Sequence, residues 1–221
     1  YQRRNALEID LNRDVLVLQS PEAQLLKKVF EVIKPDVGLN LHDQSERYSV
    51  GNSHRQAAIS FLAPASDVEK SISPNRKMAM QIIAELNSAI TYTIPGHTAK
   101  YSDEFEPRAF GDNFQKWGTS TILIESGGWK DDPEKQFIRK INFIALLSAF
   151  KSIAEESYVN TSSDIYESIP FNDKYIFDVI LRNLTVKDGK KQIKIDIGIN
   201  LDEFAGPNEK NIFYRSQVDD L

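Results

Sequence analysis

The chain contains no cysteine and only three histidines in 221 residues. Without thiols it can form no disulfide, no thiolate metal site and no cysteine nucleophile. That lack suits a reducing cytoplasm and a cysteine-poor bacterial periplasm equally well. No apolar run approaches the roughly 20 residues that span a bilayer, so no membrane partner is expected. Basic residues do not predominate: 27 Lys and Arg stand against 32 Asp and Glu, a net charge of −5. Such a balance offers no general attraction for nucleic acid or anionic lipid. A glycine-rich phosphate loop, a Gly-X-Ser-X-Gly elbow and paired cysteines are all missing, which excludes the chemistries those motifs carry. His42, His54 and His97 have spacings that match no recurring three-histidine zinc pattern.

What is present is a folded composition, 41% hydrophobic, long enough for one large domain or one domain with a small appendage. Leu7, Ile9 and Leu11 alternate with Glu8 and Asp10, which predicts a strand ending in Asn12, Arg13 and Asp14. Ser20, Pro21 and Glu22 punctuate the start of a helix that runs to Pro35, with Leu25, Leu26, Val29, Phe30 and Ile33 as its buried face. A short strand, Val37 to Leu41, then delivers His42 and Asp43. Residues 44–73 read as a long polar loop interrupted by an apolar "AAISFLAP", and a helix follows over about 75–90. Residues 91–118 mix aromatics, acids and glycines without a period, the texture of a loop that builds a site. Thr119 to Ile124 is a β-branched strand ending at Glu125, and Asp132 and Pro133 open a core helix to about Ile153. Two further strand-like runs flank "KDGK", a hairpin signal, and residues 204–221 read as a loosely attached tail. Helix following strand points to α/β layering over residues 1–155, with a small β-rich module over 156–221.

Three strand ends collect polar groups: Asn12 with Arg13, His42 with Asp43, and Glu125. In open, largely parallel sheets the ligand crevice lies at the carboxyl ends of strands, so parallel strands would put these groups on one rim. An Arg fork beside an amide can grip a carboxylate, although strand ends are also polar because they are wet. His42 reads as a metal ligand, a general base or a structurally bonded histidine. Glu125 stands at the end of a strand and before two glycines, where a carboxylate needs either an Arg partner or a raised pKa. The second condition makes a general base.

The ordered set "RRNALEIDLNRD", "SPEAQLL", "LNLHDQ" and "TILIESGG" resembles the M14 zinc carboxypeptidase family over about residues 3–155. The resemblance implies an α/β domain with a mixed sheet flanked by helices, incomplete at its N-terminus. It implies a zinc metallopeptidase that hydrolyses a C-terminal peptide bond or related amide. His42 then corresponds to a zinc ligand, Glu125 to the general base and acid, and Arg3 to the stabiliser of the oxyanion. Asn12 and Arg13 correspond to the grip on a terminal carboxylate, and Tyr101 to the tyrosine that caps the substrate. Arg108, in the same loop as Tyr101, is an alternative partner for an acidic substrate. Glu8 stands where the family often has glycine. The family's other two zinc ligands come from a His-X-X-Glu motif upstream of the Arg, so they are expected before Tyr1. The expected substrate is a peptide or an acyl amino acid. An N-acyl amino acid deacylase of related fold and a catalytically inactive domain that binds peptide ends are the alternatives.

Overall fold

The computed structural model describes residues 3–189, 191–205 and 212–220. Its elements in chain order are α1 (Pro21–Ile33), β1 (Val37–Asp43), β2 (Ser49–Val50), β3 (Ile59–Leu62), α2 (Pro74–Thr91), β4 (Thr98–Lys100) and α3 (Phe110–Lys116). There follow β5 (Ser120–Ser126), α4 (Gln136–Glu155), α5 (Asp164–Glu167), β6 (Asn172–Asp173), β7 (Val179–Asp188), β8 (Lys191–Ala205) and β9 (Ile212–Asp220). The chain divides into two compact units, Tyr1–Lys174 and Tyr175–Leu221. The first is α/β and the second is an antiparallel sheet. Among the described residues no helix is long and apolar enough to cross a membrane.

The sheet of the first unit has the order β1-β5-β3-β4, with β1 parallel to β5, β5 antiparallel to β3, and β3 parallel to β4. It is therefore mixed. The core gathers Ile59 and Phe61 of β3, Ile122 and Ile124 of β5, Met80, Ile83 and Leu86 of α2, and Ile138 and Ile141 of α4. Each is at most 1% exposed, and burying such a side chain contributes about 1.5–3 kcal/mol. The unit runs on to Lys174 because residues 156–174 are packed into it: the buried Tyr166 hydroxyl accepts from the Ala63 N–H at 3.2 Å, and β6 pairs with β2.

The amino-terminal segment departs from the expected strand. Asn5 Oδ1 accepts from the N–H groups of both Leu7 and Ile9 at 3.0 Å, and Glu8 adopts φ 59°. Asp10 then accepts from Asn12 N, opening a single 3-10 turn over Leu11–Arg13. Local side-chain acceptors thus meet the backbone donors that a strand would have sent to a neighbour. Leu7 is left exposed.

Other expectations shift as well. The polar stretch 44–73 carries β3, a central strand buried along its whole length, which is why it shows no alternation. Residues 91–118 contain β4 and α3. The expected buried face of α1 is largely exposed: Ala23 is the buried residue of this helix, while Phe30 packs against Phe114 and Trp117. Helix α4 starts later than Pro133, yet the Asp132 carboxylate still caps it, accepting from the N–H groups of Gln136, Phe137 and Ile138 at 2.8–3.1 Å. Its buried face uses Ile138, Ile141, Ala145 and Ala149, leaving Leu147 and Phe150 exposed.

In the second unit the expected hairpin forms between β7 and β8, with Gly189 at φ 58° in the turn. The segment read as a loose tail contributes β9, which pairs antiparallel with β8 from Ile197↔Asp220 to Ala205↔Ile212. Residues 206–211 of that segment lie outside the described residues.

Candidate active site

The parallel pairing of β1 and β5 sets His42 directly beside Glu125 in register. In front of them lies a cavity of about 200 Å³ whose lining includes Arg3, Asn12, Arg13, His42, Tyr101 and Glu125. All six residues picked out in the sequence therefore meet in one place, although Asn12 and Arg13 arrive on the 3-10 turn and not at a strand end.

Glu125 is 7% exposed, and among the described residues no cation lies within ion-pair distance of it. The architectural Glu–Arg pair considered in the sequence does not form. Burial, with a smaller contribution from the negative charge of Asp43, pushes its carboxyl up to about 7. Asp43 itself pairs with Lys135.

His42 approaches Asn40 Oδ1 through Nε2 at 3.0 Å. An amide oxygen only accepts, so Nε2 carries the proton and Nδ1 keeps its lone pair. Burial first, then the charges of Arg3 and Arg13, lower the pKa of the imidazole and hold it neutral. A neutral ring with one nitrogen oriented by a neighbouring acceptor is the form that ligates metals. A catalytic zinc site takes three protein ligands, however, and the described residues contain no group of three or more His, Cys, Asp or Glu able to hold a metal. They do not fit a complete zinc site by themselves. Neither His97, whose ring packs on Trp129 with Nδ1 bonded to Gln56 O at 2.7 Å, nor the exposed His54 is among the residues that line the cavity.

Asn12 and Arg13 are held in place at the other end of the cavity. Asn12 Oδ1 accepts from Phe110 N at 3.0 Å, which fixes the amide. Arg13 donates from Nη1 to Asn12 O at 2.6 Å and reaches Glu106 through Nε at 3.4 Å. Arg108 is not among the residues that line the cavity, and its Nε and Nη2 donate to the two oxygens of Glu106 at 2.9 Å. That clamp brings the Glu106 carboxyl down to about 2. Arg3 is held by Asp10 at 2.7 Å. Tyr101 follows β4, donates its N–H to Phe61 O at 2.8 Å and rests its ring edge-on against Tyr48. Burial, Tyr48 and the charge of Glu125 raise its phenol far above the ordinary value, so it stays a proton donor.

Asn40, Glu104, Glu106 and Asp112 also line the cavity and were not singled out in the sequence. Asn40 had a signal, since residues i and i+2 of a strand share a face and Asn40 stands two before His42. The three acids had none, because residues 91–118 show no period in the sequence.

Comparison with protein-family models, curated proteins and solved structures finds no match to this chain.

Proposed function

We propose that the cavity binds the terminal carboxylate of a peptide or acyl amino acid and hydrolyses the adjacent amide, in the manner of a zinc carboxypeptidase. One observation carries the reading: a carboxylate-gripping pair, an oriented imidazole, a phenol donor and a buried unpaired Glu, drawn from positions 3 to 125, share one small cavity. The roles assigned are those of the chain's own groups. Arg13 and Asn12 take the substrate carboxylate through charge-assisted hydrogen bonds. Glu125 accepts the proton of an attacking water and returns it to the leaving amine. Tyr101 and Arg3 offer a donor and a positive charge where negative charge develops on the scissile carbonyl. The metal that the resemblance implies requires two ligands in addition to His42.

Glu125→Gln tests the assignment directly. Turnover of dipeptides and N-acyl amino acids, assayed with zinc in the buffer, is expected to fall about 10²–10⁴-fold while their binding is retained; unchanged turnover removes Glu125 from the mechanism. The single histidine ligand also favours a second reading, a domain that binds peptide ends without cleaving them. Metal analysis and a turnover assay on the same preparation separate the two, since a metal-free protein that binds acyl amino acids and hydrolyses none is the binding domain.

A further inference from the structure

A second cavity, of about 210 Å³, adjoins the first, and the proposed chemistry makes no use of it. Asn40 and Gly111 line both. Residues paired in a parallel register share a face of the sheet, so Gly38 with Thr121 continues the row in which Asn40 with Leu123 and His42 with Glu125 floor the first cavity. Leu26 of α1 and Phe110 and Phe114 of α3 supply apolar wall, and among the described residues no charged side chain lines this space. The wall is fixed by its neighbours. Phe114 packs against Phe30, Trp117 and Phe110 with ring centroids 4.8–6.4 Å apart, and Gln115 Oε1 accepts the Thr121 N–H at 2.9 Å, which ties α3 to β5.

An apolar cavity of about 150 Å³ is enough to take a benzene ring. A ring that enters here meets a cluster of aromatic side chains, whose edge-to-face contacts favour it over an aliphatic chain of the same size. Thr121 is the polar exception in the wall. It is 2% exposed, and its hydroxyl meets no hydrogen-bond partner among the described residues. A Cβ built on Gly38 would stand 4.0 Å from Thr121 Oγ1, so the hydroxyl borders the gap that the glycine leaves. A buried hydroxyl without a partner is destabilising, and a ligand that bonds to it removes that deficit. We infer that the second cavity binds a single aromatic ring carrying one hydroxyl, a ligand of the phenol class, with the ring against Phe110 and Phe114 and its hydroxyl on Thr121 Oγ1. This site is independent of the carboxylate grip and stands whether or not the first cavity hydrolyses an amide.

NMR titration of the labelled protein with phenol and with toluene tests the assignment, since neither probe has a carboxylate or an amide for the first cavity to hold. Phenol is expected to give saturable shifts at Leu26, Gly38 and Thr121 and to bind about fivefold more tightly than toluene, the share of one hydrogen bond. Thr121→Val, which keeps the branched shape without the hydroxyl, is expected to bring the two probes to equal affinity, whereas Thr121→Ser keeps the preference for phenol. Failure to saturate, or shifts centred on His42 and Tyr101, overturns the site. Equal affinities in the unaltered protein overturn the phenol class, as does a preference that survives Thr121→Val or disappears with Thr121→Ser. The two titrations of the unaltered protein decide by themselves if a variant does not fold.

Discussion

Asp14 is one of the most heavily bonded single side chains near the site. It is 2% exposed and accepts from Gln19 N, Ser20 N and Ser20 Oγ at 2.7–2.9 Å, tying the turn that carries Asn12 and Arg13 to the cap of α1. Burial alone would raise its pKa, but the hydrogen bonds from Ser20 and Gln19 prevail and lower it from 3.8. A carboxyl depressed on folding stabilises above its unfolded value and loses that contribution as pH falls through the folded one. Asp14→Ala is expected to cost about 2–4 kcal/mol at pH 7, from three bonds to a charged acceptor, read as a lowered denaturation midpoint. The gap between Asp14→Ala and the unaltered protein should narrow as pH drops below about 4. Asp112 runs the other way, its raised pKa marking a group that folding places at a cost. The different meanings of these two acids are not legible in the sequence, where each is one Asp in a polar stretch.

At the scale of elements, the floor of the cavity is a strand pair and its rim is a loop. Parallel pairing in register brings His42 and Glu125 together, and the sequence shows the two strand ends, because the alternating Val37, Leu39 and Leu41 of β1 and the continuous Ile122–Ile124 run of β5 each end in a polar group. The rim, residues 101–106, is held differently. Arg76 of α2 is 4% exposed and donates to Ala63 O, to Lys70 O and to Asp103, which Lys70 also grips at 2.7 Å. Asp103 lies between Tyr101 and Glu104, so the buried guanidinium positions the residues that face the ligand. Arg76→Met should therefore lower stability by about 2–4 kcal/mol, since it leaves the Ala63 and Lys70 carbonyls without their donor and Asp103 with Lys70 alone. It should also weaken acyl amino acid binding although Arg76 does not line the cavity. Thermal melts and calorimetry on one preparation check both outcomes. No periodicity announces this anchor, because the contacts join positions 63, 70, 76 and 103 through a fold that only long-range packing creates.

For the whole molecule, the distribution of apolar surface carries the prediction. Leu25, Val32 and Ile33 of α1 and Phe143, Leu147 and Phe150 of α4 are 51–77% exposed. Large apolar side chains left in water favour association. The chain is expected to bind a hydrophobic dye and to self-associate as concentration rises. Val32→Glu with Leu147→Glu should reduce both without lowering the melting temperature, as measured by dye fluorescence and sedimentation. A melting point that falls by several degrees would instead make these side chains part of a core. Leu25 and Ile33 of α1 and Leu147 and Phe150 of α4 belong to stripes whose periodicity predicts a buried face, and each is exposed. Periodicity identifies an apolar face without identifying what covers it.

The sequence by itself determined the α/β layering, the helices α1, α2 and α4, the strands β1 and β5, the β7–β8 hairpin and the short list of groups able to do chemistry, since these follow from local periodicity, caps and residue type. Only the tertiary structure decided that the first segment is a turn, that the tail is a strand, and that six polar residues spread over 123 positions share one cavity. The reason is physical. Side-chain acceptors and strand partners compete for the same backbone donors, and burial that moves a pKa is a property of neighbours distant in the chain.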